Sequence, residues 1–293
     1  MAVVERDSDY YDSSYLADYY ESLWTDHAAL EDIAIYWAFF KDRALSSLSS
    51  SSQNRVDGKF VLLDVGTGTG RVIHSLIDKA VSDADMSLDA MLFIGMDKSP
   101  FMLEQAQRTK QLPHEVHASW FVGTATALED IASLADPHGK VNLLLFTFSG
   151  INHLHQPGEI DQFFLSARRV LLPGGLALVS VCTPLLDVEG DSVPNPYGLV
   201  KEVKSKRLEG ILYREWGTGQ KIEGHLFTNS LKTDVVQVSP DGSELVIERN
   251  IHNIPLALLT RDGLRESAAA AKLEIIEERC IRDEVIFVLR AVG

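Results

Sequence analysis

Short apolar runs alternate with amphipathic segments through the middle of the chain. Each run has the length of a single strand, and the chain carries five of them, at 60–65, 90–96, 119–122, 141–148 and 176–182. In the segments between, apolar residues recur every three or four positions, which predicts helices at 71–81, 100–108, 128–134 and 159–172. Strands that alternate with helices form mostly parallel sheets with helices on both faces.

The beginning of the chain is rich in tyrosine. Tyr11, Tyr15 and Tyr19 recur every four residues, which places them on one face of a helix within 1–26. Two interpretations of this aromatic face stay open: it packs on the main body, or it covers a ligand site. Helical spacing continues over 27–48, and the serine-rich stretch 46–58 predicts a flexible surface connection.

The pattern changes after Pro184. A loop is predicted for 185–198, followed by antiparallel strands over 208–251, a helix at 260–271 and a closing hairpin. Because the antiparallel part is too long for a loop, we divide the chain into four parts. These are a helical cover with linker (1–58), a core (59–184), an antiparallel lid (185–256), and the last helix with the closing hairpin (257–293).

Charge and cysteine content exclude several classes of protein. The 42 acidic and 27 Lys and Arg residues give a net charge of −15, which disfavours nucleic acid and anionic membrane surfaces as partners. Two cysteines, Cys182 and Cys280, exclude a disulfide scaffold and a cysteine-rich zinc site, and we expect no metal. No signal peptide or apolar run of about 18 residues is present, so we expect a soluble cytoplasmic protein.

A glycine-rich loop follows the first apolar run of the core. The segment VLLDVGTGTGR places Asp64 at the end of the strand, then Gly66, Gly68 and Gly70 before a helix. Glycines permit a tight turn and a close approach of backbone to ligand, and the helix start offers free N–H groups. A nucleotide-like ligand is indicated. Arg71 occupies the third-glycine position of the dinucleotide fingerprint, which makes a dehydrogenase the weakest alternative.

The second apolar run ends in an acidic residue. In IGMDKSPFMLEQA, Asp97 closes the strand, and its two oxygens match the paired hydroxyls of a ribose.

These motifs together resemble class I S-adenosylmethionine-dependent methyltransferases, through DVGTGTGR, GMDKSPFMLEQA and RRVLLPGGLALVSV. The resemblance implies an α/β fold with a Rossmann-like, seven-stranded, mostly parallel sheet, helices on both faces, an N-terminal helical cover and an antiparallel β insertion. It implies S-adenosylmethionine as cofactor and S-adenosylhomocysteine as product. The cofactor-binding residues it implies are Asp64, Gly66, Gly68, Gly70, Asp97, Lys98, Met102, Thr124 and Ala125. Thr124 stands where the family usually carries an acidic residue that accepts from the adenine amino group.

The resemblance also indicates where an acceptor binds. The segment FTFSGINHL lies under the methyl group in this family, which makes Ser149, Asn152 and His153 the nearest polar groups, with His153 as the candidate base. The lid resembles the layout of glycine and sarcosine N-methyltransferases. The residues predicted to contact the acceptor are Tyr11, Tyr15, Ser149, Asn152, Tyr213, Arg214 and His225.

The predicted activity is methyl transfer to an O or N centre of a small-molecule metabolite by in-line displacement, in secondary metabolism. A neutral amine needs no base, whereas a hydroxyl acceptor does. Two alternatives stay open: a regulatory protein that only binds the cofactor, and a non-methylating rearrangement or cyclisation. The predicted partner is a small-molecule acceptor, with no nucleic acid and no membrane. The sequence predicts neither the identity of the acceptor nor the oligomeric state.

Overall fold

Strands and helices alternate through the core of the computed structural model, which describes residues 4–7, 11, 13–23, 31–49, 59–131, 134, 140–188 and 198–292. Its strands are β1 (Val4–Asp7), β2 (Phe60–Val65), β3 (Met91–Asp97), β4 (His117–Val122), β5 (Val141–Phe146), β6 (Leu171–Cys182), β7 (Gly198–Lys204), β8 (Ile211–Glu223), β9 (Leu226–Val238), β10 (Glu244–Ala257), β11 (Leu273–Ile281) and β12 (Glu284–Ala291). Its helices are α1 (Ser14–Leu23), α2 (Glu31–Ser49), α3 (Arg71–Val81), α4 (Pro100–Thr109), α5 (Glu159–Val170) and α6 (Arg261–Ala270).

The larger sheet has seven strands in the order β4-β3-β2-β5-β6-β12-β11. The first five are parallel, and β12 runs antiparallel to both of its neighbours. This confirms the predicted fold class. From β2 the chain continues to β3 and then β4 on one side of β2. It then crosses to β5 on the other side of β2, so the strand order reverses between β2 and β5. In sheets of this kind, ligands bind beyond the carboxyl ends of the strands at the reversal point.

Both faces of this sheet are covered. Every residue of β2 and of β5 is buried. One hydrophobic cluster contains Leu63 and Leu144, and another contains Leu62 and Leu143, so neighbouring residues of one strand enter different clusters. Continuous apolar runs are typical of strands buried on both faces, which explains why their pattern was visible in the sequence.

The smaller sheet has five strands in the order β1-β10-β9-β8-β7. The antiparallel strands predicted in 208–251 are confirmed as β8, β9 and most of β10. Two of its strands were not predicted. β7 follows a predicted loop, and β1 pairs in parallel with β10, more than two hundred residues away along the chain, where the sequence indicated helix.

Several predicted boundaries were wrong. Residues 46–49 belong to α2 instead of a connection, while the rest of that connection, and 189–197 of the predicted loop, lie outside the described residues. The helix predicted at 128–134 is a 3-10 turn at Leu128–Asp130 in its described part. The helix predicted at 159–172 ends at Val170, and Pro173, Gly174 and Gly175 lie within β6. The pairing of β6 with β5 is irregular there, and Gly174 takes up the backbone bend with a positive φ of 76°.

Helix α1 lies between the smaller sheet and the ligand edge of the larger one. On one side, Asp18 accepts hydrogen bonds from the hydroxyls of Tyr213 and Ser205, each at 2.6 Å. On the other side, the Thr69 hydroxyl donates to Glu21. The helix thus connects the two sheets. Among the described helices, none is both long enough and apolar enough to cross a membrane.

Candidate active site

A cavity of about 270 Å³ opens at the carboxyl ends of β2, β3 and β5, where the strand order reverses. The structure brings together nine of the predicted site residues in its walls. These are Tyr11, Gly66, Gly68, Asp97, Lys98, Met102, Thr124, Ala125 and His153. They come from five separate segments of the chain. Four of these lie at the ends of β2, β3, β4 and β5, which meet because parallel strands end at the same edge, and Tyr11 reaches the cavity from the segment before α1.

The glycine loop takes a conformation that other residues adopt rarely. Gly66, Gly68 and Gly70 have φ values of 62°, 56° and 79°. A Cβ on Gly66 would lie 3.3 Å from the Phe146 ring, and one on Gly70 would lie 2.8 Å from the Trp120 ring. Gly66 and Gly68 line the cavity, whereas Gly70 caps the start of α3 outside it. The loop therefore lets backbone N–H groups approach a ligand closely.

Asp64 lies beneath this loop and is fully buried. Its Oδ2 accepts a hydrogen bond from the Thr67 hydroxyl at 2.7 Å, while its Oδ1 has no partner among the described residues. Burial is the largest cause that raises the pKa of this carboxyl, to about 7. A buried acceptor without a partner fits a ligand that presents an N–H donor or a cation.

Asp97 connects the glycine loop to the start of α4. Its Oδ2 accepts the N–H of Gly68 at 2.8 Å, and its Oδ1 accepts the N–H of Ser99 at 2.9 Å. Burial raises the pKa of the carboxyl, and these two N–H groups oppose that shift. Because a carboxylate has about four lone-pair sites, Asp97 keeps capacity for a further donor from the cavity.

Aromatic side chains close the outer side of the cavity. The Tyr11 ring lies 5.9 Å from the His153 ring and 6.4 Å from the Tyr20 ring, measured between centroids. Tyr20 lies a further 6.4 Å from Phe148. The main-chain oxygen of Tyr11 accepts from the Ser99 hydroxyl at 2.7 Å, which fixes this cover on α4.

Tyr20 and Phe148 were not among the predicted site residues. Both lie in segments that the sequence singled out, but their direction depends on contacts from elsewhere in the chain. Burial raises the pKa of the Tyr20 hydroxyl, so the phenol is neutral at physiological pH. Further cavity residues that sequence reasoning missed are Val65, Met96, Gly123, Phe146, Thr147, Gly150, Leu154, His155 and Glu159.

The structure corrects the predicted roles of Ser149 and Asn152, neither of which lines the cavity. The Ser149 hydroxyl donates to Glu284 at 2.7 Å. Asn152 is fully buried, where its Nδ2 donates to the Ala257 carbonyl at 2.8 Å and its Oδ1 accepts the Cys182 N–H at 3.0 Å. Both polar groups hold the loop after β5 in place, and only His153 of this predicted set reaches the cavity.

The lid residues Tyr213, Arg214 and His225 also lie outside the cavity lining. Tyr213 faces inward, but α1 lies between it and the cavity. The Tyr213 hydroxyl donates to Asp18 of that helix. Arg214 faces outward and forms ion pairs with Glu202 and Glu244, each at 2.7 Å. His225 is exposed at the turn between β8 and β9. The lid therefore does not bring these three side chains to the cavity.

The predicted tyrosine face divides into two parts, because α1 begins only at Ser14. Tyr15 packs with Tyr19 and Tyr213 against the smaller sheet, outside the cavity lining. Tyr11 precedes the helix and turns into the cavity. Packing is thus observed for both Tyr11 and Tyr15, and covering of the cavity for Tyr11 alone of the two.

Within the described ranges, no group of three or more His, Cys, Asp or Glu side chains is arranged to hold a metal ion. The cavity therefore offers a glycine loop, the buried carboxylate of Asp97 and an aromatic cover, while Asp64 lies beneath the loop and outside the lining. That set is suited to bind a nucleoside with a cationic attachment and to exclude water from what lies beside it.

Comparison with known proteins agrees with this chemistry. A family model described as "Methyltransferase domain" matches residues 62–175. The chain is 89% identical to "N-methyltransferase FrzE" from Cladobotryum sp over 294 residues, and the match covers all of both proteins.

Two solved structures show a similar fold. The sugar N-methyltransferase KedS8 from Streptoalloteichus sp has a TM-score of 0.61 at 16% identity, over 98% of each chain. The amino pentose methyltransferase CalS10 from Micromonospora echinaspora, bound to S-adenosylmethionine, has a TM-score of 0.59 at 18% identity, over 98% of this chain and 100% of that one.

Proposed function

The chain belongs to the class I S-adenosylmethionine-dependent methyltransferases, and from that premise we propose that it methylates an amine nitrogen of a small-molecule acceptor. The observation that carries the choice of nitrogen is the identity of 89% with an N-methyltransferase along the whole chain. At such identity about nine positions in ten are shared along the chain, so the same class of acceptor atom is expected.

The cavity residues fit S-adenosylmethionine. The glycine loop leaves room for the methionine part of the cofactor, and the unpartnered Oδ1 of Asp64 beneath that loop is the acceptor toward which its ammonium group would point. Asp97 would hold the ribose, while Lys98 and Met102 would flank the adenine. The fit rests on the buried Oδ1 of Asp64 and on the space at Gly66 and Gly68, which a side chain would fill.

When bound, S-adenosylmethionine supplies a methyl group on a positively charged sulfur, which needs no activation by the protein. The protein's own contribution is alignment and the exclusion of water. Tyr11, Tyr20 and Phe148 form an aromatic wall that suits a cationic or aromatic acceptor, because ring faces attract cations. The acceptor must lose its ammonium proton before it reacts, since only the neutral amine has a free electron pair.

His153 favours a second candidate, methyl transfer to a hydroxyl oxygen. Its ring lies in the cavity wall beside Tyr11, so a base stands within the site. A neutral imidazole within hydrogen-bond reach of a hydroxyl can accept its proton as a general base. Acceptors that differ only in NH and OH distinguish the two candidates.

Calorimetric titration with S-adenosylmethionine and S-adenosylhomocysteine tests cofactor binding. We expect micromolar affinity for both, weakened at least about tenfold by Asp97→Ala, because a buried group that bonds the ribose is lost. Asp85→Ala is the control, since Asp85 is an exposed acid whose side chain is 72% accessible. Unchanged affinity in Asp97→Ala would contradict this assignment.

Methyl transfer is then tested with matched amine and alcohol probes, such as phenethylamine with phenylethanol and glucosamine with glucose. Mass spectrometry of the products should show a gain of one CH2 on an amine. A gain on the alcohols instead would favour oxygen transfer. Consumption of a probe with no gain in mass would indicate a rearrangement.

A further inference from the structure

The segment that carries Thr124 brings no acidic side chain to its end of the cavity, where its lining residues are Gly123, Thr124 and Ala125. The Thr124 hydroxyl lies 3.1 Å from the Thr126 hydroxyl, so the two threonines bond each other. A carboxylate is a stronger acceptor for an N–H donor than a hydroxyl. If the cofactor's adenine binds here, as the proposed function requires, a different residue is available to take this role.

Glu159 lines the same cavity from the first turn of α5. Its Oε2 accepts the Gln156 N–H at 2.9 Å, which fixes the direction of the side chain. A carboxylate with one such bond keeps further lone pairs for another donor. Glu159 lies far along the chain from Thr124, so its spacing in the sequence gives no hint of this position.

One face of α5 runs along the segment that carries Thr124. Gln162, one turn beyond Glu159, donates from Nε2 to the Thr126 carbonyl at 3.3 Å. Ser166, one turn further, accepts the Leu128 N–H at 2.7 Å. Residues spaced by three and four positions share a helix face. The carboxylate of Glu159 therefore begins the stripe that faces the turn at 124–126.

We propose that Glu159 is the residue that selects adenine, by accepting a hydrogen bond from its exocyclic amino group in place of an acid at position 124. This inference rests on the proposed function, because it presupposes that S-adenosylmethionine binds in the cavity. It concerns recognition of the base and involves no step of the methyl transfer.

S-inosylhomocysteine is the probe, because it carries a carbonyl oxygen where S-adenosylhomocysteine carries the amino group. A site built to accept an N–H should reject the oxygen, so the wild-type protein should bind the inosine compound at least about tenfold more weakly. The inosine base also carries N1–H where adenine has an acceptor, and that difference is the same for every variant. In Glu159→Gln the amide can donate to the oxygen, so the ratio of the two affinities should fall by at least about threefold relative to wild type. Calorimetry measures both.

Asp161→Asn is the matched control. It removes one negative charge from the same turn of α5, but Asp161 is exposed and outside the cavity lining, so the ratio of affinities should stay as in wild type. Thr124→Val tests the competing residue and should also leave the ratio unchanged. Melting temperatures of the variants, with and without S-adenosylhomocysteine, show whether each protein is folded.

Three results would overturn the inference: a wild-type ratio near one, an unchanged ratio in Glu159→Gln, or loss of discrimination in Thr124→Val alone. In each case S-adenosylhomocysteine still binds, so the proposed function stands. Absence of any S-adenosylhomocysteine binding by the wild-type protein would instead refute the proposed function, and the inference with it.

Discussion

The hydroxyl of Ser149 donates a hydrogen bond to Oε1 of Glu284 over 2.7 Å, across 135 positions of the chain. The N–H of Ser149 donates to the Ser180 hydroxyl, also at 2.7 Å, and that hydroxyl reaches Glu284 at 3.2 Å. Phe148 and Ser149 both have positive φ values, 54° and 55°. Such backbone costs about 1–3 kcal/mol per residue outside glycine, so these bonds hold a strained turn that presents Phe148 to the cavity.

Glu284→Ala should therefore lower the free energy of unfolding by about 1–3 kcal/mol, because two serine hydroxyls lose their acceptor. Glu284→Gln should lower it less, since the amide oxygen still accepts. Urea unfolding measures the difference. The control is Glu274→Ala, which breaks an exposed ion pair with Arg290 and should change stability by no more than about 0.5 kcal/mol. Equal losses of unfolding free energy in Glu284→Ala and the control would show that Glu284 does not stabilise the turn at Phe148 and Ser149.

Asn152→Ala should destabilise the protein by about 2 kcal/mol or more. The substitution leaves the buried Ala257 carbonyl and Cys182 N–H without their partner. Asn253→Ala is the matched control, because Asn253 is exposed on β10 and bonds only to Ser230 among the described side chains. A loss of similar size in both variants would show that Asn152 does not anchor the loop after β5.

The ionisation of Asp64 should make stability depend on pH. Burial raises its pKa from 3.8 to about 7, so the folded protein holds a proton that the unfolded chain releases. The contribution is fully present below pH 3.8 and is lost as the pH rises through about 7. It amounts to at most about 4 kcal/mol.

Urea unfolding of the wild-type protein and Asp64→Asn from pH 4 to pH 8 measures this effect. The stability of the wild type should fall relative to the variant across that interval. Parallel pH profiles would show that the carboxyl ionises with its ordinary pKa.

His153→Ala should distinguish an amine acceptor from a hydroxyl acceptor. An amine that arrives neutral needs no base, so its methylation should slow by less than about tenfold, whereas methylation of a hydroxyl should fall by about 10²–10⁴. The affinity for S-adenosylhomocysteine should stay within about twofold of wild type. His225→Ala, at an exposed turn, should change neither rate. Full activity of His153→Ala on a hydroxyl would show that this histidine is not the base.

The amino-acid sequence by itself determined the core of the fold and the side of the cavity formed by the glycine loop and Asp97. Buried parallel strands are continuous apolar runs, so their positions along the chain were visible without any contact information. The glycine loop and Asp97 depend on a strand end and the next few residues, and such local chemistry is written in neighbouring positions. That is why Gly66, Gly68 and Asp97 were predicted and lie together in the cavity.

Only the tertiary structure decided which polar and aromatic side chains reach the rest of the cavity. Whether Ser149 faces the cavity or turns away depends on Glu284, and whether Tyr213 reaches it depends on Asp18 of α1. Tyr11 turns inward because it precedes the helix that carries Tyr15. A side chain takes its direction from the partners that bury and bond it. Those partners come from distant segments that no local pattern connects.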